Sequence, residues 1–117
     1  MDIVHHALIG VAGFQSASDV ALFPHGAAFL FASVFPDLDV VFMALGKRFY
    51  LKHHQALTHS LPLSPLYALL IISPLLLLQA FSWSLLLAAL LGLWLHIALD
   101  WSNTFRIAPF APFSYRR

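Results

Sequence analysis

Apolar residues occupy this 117-residue chain in four runs, separated by three short polar stretches. The first run, MDIVHHALIGVAGF, reads as a short helix with His6, Gly10 and Gly13 at i, i+4 and i+7 on one face. Two glycines on that face would let a neighbouring helix approach closely. QSASDV follows as a turn, with Ser16, Ser18 and Asp19 as cap candidates. The second run extends from His25 to about Ala44 and is interrupted by Phe-Pro-Asp-Leu-Asp. Pro36 disfavours helix at Phe35, so an extended stretch is expected to carry Asp37 and Asp39. GKRFYLKHHQALTHS is the most polar part of the chain and holds Lys47, Arg48 and Lys52.

Leu61 to about Gln79 and Leu85 to Trp101 are the last two runs, with Phe81–Ser84 as the turn between them. Pro62 fits a first helical turn, Pro74 predicts a kink, and Trp83 suits a headgroup region. The tail, RIAPFAPFSYRR, is broken by prolines and basic. The pattern predicts an all-α fold: one domain over residues 1–117, a small integral membrane bundle of about four helical segments arranged as two hairpins. The first hairpin is the weaker one, because its first helix is short.

Composition strengthens the membrane reading. Apolar residues make up 61% and charged residues 9%, against roughly 25% charged in an ordinary soluble domain. Disorder requires the opposite balance. The N-terminus has no basic region and carries Asp2, so it does not read as a secretory signal. A net charge of +1 leaves no nucleic-acid footprint, and the absence of Cys removes disulfides and thiolate chemistry. Basic residues flank the second hairpin at both ends and none lies at its tip, which places both ends of the hairpin in the cytoplasm for a multi-pass membrane protein.

In a chain that avoids charge, acids and histidines inside apolar runs need a reason. All five acids are Asp, and there are seven His. His59 lies roughly 22 residues before a turn centred near Phe81, and His96 and Asp100 lie roughly 15 and 19 after it. His6 and Asp37 flank a turn near Val20 in the same way, roughly 14 before and 17 after. Antiparallel helices would bring all of these to one depth. His96 and Asp100, in HIALD, share a helical face and can reach one cation, or the Asp can orient the His. A buried His bonded to a neighbouring Asp is the plainer alternative. For Asp37 and Asp39 the plainer alternative is a turn with solvated acids. Thr58 and Ser60 are candidate caps of the next helix, and His25, after Pro24, reads as a surface residue. His and Asp without Cys suit Zn²⁺, Mn²⁺ or Fe²⁺, and a surplus of ligands would permit more than one ion.

MDIVHHALIG, FPDLDVV, YLKHHQALTHSL and LHIALDWSNTF, in that order, resemble the bacterial inner-membrane family of the LexA-binding, DUF457 type, described as metal-dependent hydrolases. The family is itself similar, distantly, to zinc-dependent phospholipase C and P1 nuclease. The resemblance implies His6, Asp37, Asp39, His54, His59, His96 and Asp100 as metal ligands, with His6 preferred over His5 and His54 over His53. Thr58, Ser60 and Asn103 also match its pattern. It implies hydrolysis of a phosphoester, lipid-borne or not, by a metal-activated water, with Asp37 and Asp39 as the catalytic carboxylates, one of them the general base. Expected partners are a divalent metal, zinc first and manganese or iron next, and membrane lipids. Two departures point to the competing class, a non-catalytic membrane protein with a structural metal site or a regulator-binding role. Gln55-Ala56 stands where the family has Arg-Gly, and relatives continue past the C-terminal region, so a C-terminally short form is expected.

Overall fold

The computed structural model describes residues 3–16, 19, 22–53, 56–103 and 107–116. His54, Gln55 and Arg106 lie outside them, as does the side chain of Lys52. The described residues form five α-helices and no strand: α1 (Ile3–Ser16), α2 (Phe23–Val34), α3 (Lys47–His53), α4 (Ser64–Ile72) and α5 (Trp83–Ser102). Tighter 3₁₀ helix continues α2 over Phe35–Leu45 and α4 over Ser73–Leu77. The four predicted segments are present, and α3 is an extra short helix within the polar stretch.

Proline sets most of these boundaries. Pro24 and Pro65 sit in the first turns of α2 and α4, where their missing N–H would have had no partner. Pro62 lies in the turn before α4 instead of inside it, so the helix starts later than the apolar run. The α-helical part of α2 ends before Pro36, as the sequence predicts. The chain beyond is 3₁₀ helix, however, and not extended. Proline's fixed φ is compatible with 3₁₀ geometry, so losing one N–H tightens the helix without unwinding it. Gly46, at φ 110°, closes that segment in a conformation that side chains disfavour. Of the predicted caps, Ser18 lies outside the described residues; the N-cap of α2 is Leu22, without a side-chain cap hydrogen bond, and the Ser16 hydroxyl donates back to the Ala12 carbonyl. Ser82 does cap α5, accepting from the Leu85 N–H at 3.2 Å.

Alanines share the interior with Ile71, Ile72, Leu75 and other large apolar residues. Ala27, Ala28 and Ala32 of α2 pack with Ala68, Ala89, Leu85 and Leu93. A Cβ on Gly92 would lie 2.6 Å from the Phe29 carbonyl oxygen and 2.7 Å from the Ala32 Cβ. Gly10 faces Leu30 and Ser33 of α2 in the same close way, which is the approach its position on α1 predicts. Large apolar side chains point outward instead, among them Leu8, Phe31, Leu77 and Trp101. Small residues where helices approach closely, and large apolar side chains exposed on the outside, suit lipid as the surrounding medium. Phe23–Leu45 and α5 are long and apolar enough to cross a membrane; Ser64–Leu77 is shorter. The 20 residues of α5 reach about 30 Å, the thickness of a hydrocarbon core.

The tail is not loose. Ile107, Ala108 and Ala111 are buried, and Ala108 and Ala111 pack on Ala56. The Leu61 N–H donates to the Pro109 carbonyl at 2.8 Å, and the Ser60 hydroxyl donates to the Ala111 carbonyl. Residues 107–111 therefore brace the turn that carries Thr58 and His59.

Candidate metal centre

Five of the residues singled out in the sequence meet at one place: His6 of α1, Asp37 just after Pro36, His59 before α4, and His96 and Asp100 in the last turns of α5. His6 reaches Asp37 Oδ2 through Nδ1 at 2.9 Å and faces Asp100 Oδ1 through Nε2 at 3.4 Å. His59 Nε2 lies 3.1 Å from Asp100 Oδ2 and 3.2 Å from His96 Nε2. His96 Nε2 lies 3.4 Å from Asp100 Oδ2 and 3.6 Å from Asp37 Oδ1. The His6 ring stacks on the His96 ring at 3.7 Å between centroids. Asp37 is 13% exposed; the other four are almost wholly buried.

The direction of each imidazole matters more than its proximity. His96 Nδ1 lies 2.7 Å from the Ser33 carbonyl oxygen, which can only accept, so Nδ1 carries the proton. In the neutral ring Nε2 is then a lone pair turned toward two carboxylates and a second imidazole. His6 donates from Nδ1 to the Asp37 carboxylate in the same way, and its Nε2 is buried without a hydrogen-bond partner. Burial lowers the pKa of His59, partly opposed by its bond to Asp100, and this favours the neutral ring that a metal requires.

The donor set fits a cation. One ligand atom each from His6, Asp37, His96 and Asp100 lies within 4.8 Å of the others. His59 Nε2 lies beside three of the four: its distances to His96, Asp100 and Asp37 are 3.2, 3.1 and 4.0 Å. Ligand atoms about 2.0–2.1 Å from a tetrahedral zinc are separated by about 3.3 Å. His59, His96, Asp37 and Asp100 approximate that spacing, with His6 as a further donor.

A family model described as the YdjM inner membrane protein matches residues 1–117. The chain belongs to the YdjM inner membrane protein family. No curated protein and no solved structure matches it. Family membership carries the inner-membrane part of the resemblance. No comparison extends it to a hydrolase, to phospholipase C or to P1 nuclease.

Not every predicted ligand of this YdjM-family chain enters the cluster. Asp39 is buried, but its Oδ2 accepts from the Thr58 hydroxyl at 3.0 Å. In 3₁₀ helix two residues span about 240°, so Asp39 points away from Asp37. Thr58 Oγ1 also lies 3.1 Å from His59 Nδ1, so Thr58 caps no helix. Asn103 closes α5 through Leu99 and Asp100 carbonyls. His25 bonds Ser84 at the far end of the bundle, 2.9 Å away. Two neighbours went unnoticed in the sequence. Ser33 acts through its carbonyl, which leaves no mark in a side chain. Tyr50 has its phenol pKa raised by burial and then by Asp39 and Asp37; a YLKHH motif alone does not reveal that proximity.

Proposed function

We propose that this YdjM-family chain is a multi-pass inner-membrane protein that binds a divalent metal and uses it to hydrolyse a phosphoester. Zinc is the first choice of metal; manganese and iron suit the same donors. The observation that carries the reading is the buried Nε2 of His6, which faces Asp100, and the inward Nε2 of His96, which faces Asp37 and Asp100. Lone pairs gathered in this way repel one another unless a cation lies among them. When bound, the metal would polarise the phosphoryl oxygen and make a water more acidic. Asp37 is the partly exposed member, so it stands where water and substrate approach and is the group placed to accept the water's proton.

The burial of the remaining ligands favours a second reading, a closed metal site that holds α1, α2 and α5 together without catalysis. Elemental analysis of protein purified in detergent, after growth with zinc or manganese and without chelator, tests the site. Wild type is expected to carry metal, and the double variant His96→Ala/Asp100→Ala to lose it while remaining helical and monodisperse. Metal-free wild type ends the reading. Metal-loaded protein inactive on phosphodiesters and phospholipids selects the structural site.

A further inference from the structure

We propose that residues 107–116 form a two-faced strap: its inner face holds the turn that carries His59, and its outer face docks on anionic lipid headgroups at the site end of the molecule. Ile107, Ala108, Pro109 and Ala111 make the inner face and are buried. The Pro109 carbonyl accepts from the Leu61 N–H at 2.8 Å, and the Ala111 carbonyl accepts from the Ser60 hydroxyl. Both bonds land within two residues of His59. The other side of the turn is held separately, by the Tyr67 hydroxyl on the Leu57 carbonyl at 3.0 Å.

The outer face is of opposite character. Two tight turns are closed by the Ala111 N–H on the Ala108 carbonyl at 3.1 Å and the Ser114 N–H on the Phe110 carbonyl at 3.0 Å. They leave Phe110, Phe113 and Tyr115 outside, Phe113 with 84% of its surface exposed. Arg116 is exposed next to them, and Arg117 follows in sequence. Residues 101–117 contain three Arg and no acid. Outward aromatic rings settle at any membrane interface; the Arg residues select an anionic one. The position agrees. The strap follows the end of α5, a helix about 30 Å long, and is bonded to the turn before α4, so it lies where both helices leave the hydrocarbon.

A segment held by lipid on one face and by the His59 turn on the other couples the two. Docking removes tail conformations that compete with the bonds to Ser60 and Leu61, and so keeps His59 in the cluster. The effect on metal rests on the metal reading above; the docking does not. Each Arg near an anionic surface strengthens attachment about fivefold, and two about 25-fold, which bounds the effect on the site.

The test uses full-length protein, one copy per nanodisc, in phosphatidylcholine alone or mixed equally with phosphatidylglycerol. The chain has no Cys, so Ser114→Cys takes an environment-sensitive fluorophore at a single point. Its emission is expected to shift to the blue in the mixed discs. High salt, or Arg116→Glu/Arg117→Glu, is expected to reverse the shift. Equal emission in both lipids overturns the proposal, and so does a blue shift that salt leaves untouched, whether or not the charge variant folds. A blue shift that requires two copies in one disc assigns the face to a second chain and also overturns it. Zn²⁺ is then titrated against a chromogenic chelator in the mixed discs. Wild type is expected to bind about 5–25-fold more tightly than Arg116→Glu/Arg117→Glu, a comparison in which metal drawn to the lipid itself cancels. Equal affinities beside a lipid-dependent blue shift overturn the strap and reduce the tail to an anchor. A lipid-dependent blue shift without Zn²⁺ binding in any disc keeps the docking and ends the metal reading alone.

Discussion

His6 Nε2 is the atom on which the site's chemistry turns at the scale of single residues. It is buried, has no hydrogen-bond partner, and lies 3.4 Å from Asp100 Oδ1. Leaving such an atom unsatisfied costs about 1–3 kcal/mol. A bound cation converts that cost into a coordinate bond. His6→Ala is therefore expected to weaken Zn²⁺ binding by more than the roughly 10–100-fold that an outer partner supplies. The rise in melting temperature that Zn²⁺ gives wild type should shrink accordingly. An unchanged rise would make His6 a packing residue that happens to stack on His96. At this scale the sequence displays the ligand types well, because Asp and His are conspicuous in an apolar chain. It conceals what aims them. The acceptor for His96 is the carbonyl of Ser33, a group that every residue owns. Asp39 and Asp37 look equivalent in PDLD, and only the 3₁₀ rotation after Pro36 sends one into the cluster and the other to Thr58.

Elements place those residues through how closely they pack. The hairpins were legible because a 1.5 Å rise converts residue counts into depth, and the runs before and after each turn are nearly equal. Less legible was what proline does inside a run. Pro36 and Pro74 change α-helix to 3₁₀ and preserve the direction of folding, since helical φ costs proline nothing. The contact of α2 with α5 depends on Gly92, whose absent Cβ leaves room for the Phe29 carbonyl and Ala32. One turn further along α5, His96 bonds the Ser33 carbonyl of the same partner helix. Gly92→Val is therefore expected to do two things together. It should destabilise the detergent-solubilised protein by about 1–3 kcal/mol, the usual effect of overpacking. It should also weaken metal retention, because α5 must move away from the carbonyl that aims His96. Leu91→Val, on the exposed side of α5, should change stability by less than about 0.5 kcal/mol and leave metal content alone. Loss of stability in Gly92→Val with full metal retention would show that the site does not depend on the α2–α5 distance.

The whole molecule has two unlike ends, and their difference predicts its orientation. Its longest dimension is 43 Å, close to the roughly 40–45 Å of a bilayer with its headgroups. One end carries the His/Asp cluster and the braced tail, with Lys47, Arg48 and Arg116 in the chain segments that adjoin them in sequence, while the other has the exposed Trp83 and Phe81 and the His25–Ser84 bond. Basic residues remain on the cytoplasmic side of an inner membrane, and exposed tryptophan settles at an interface. The site end is therefore expected to face the cytoplasm, where its metal and any phosphoester would be drawn from that compartment or from the inner leaflet. The chain contains no Cys, so a single introduced thiol is its only reactive sulfur. Leu45→Cys and Tyr115→Cys replace exposed residues near the basic end, and Phe81→Cys replaces one at the opposite end. In intact spheroplasts an impermeant maleimide should label Phe81→Cys and spare the other two, which should react only after the membrane is opened. Labelling of all three from outside would reverse the molecule without disturbing the fold. Labelling of Leu45→Cys and Tyr115→Cys from opposite sides would be more damaging. Residues 56–61 are held to the tail by the Leu61–Pro109 hydrogen bond, so the segments bearing Asp37, His59 and Asp100 cannot meet if the flanking chain is split across the bilayer. That outcome would dismantle the bundle and the metal site together.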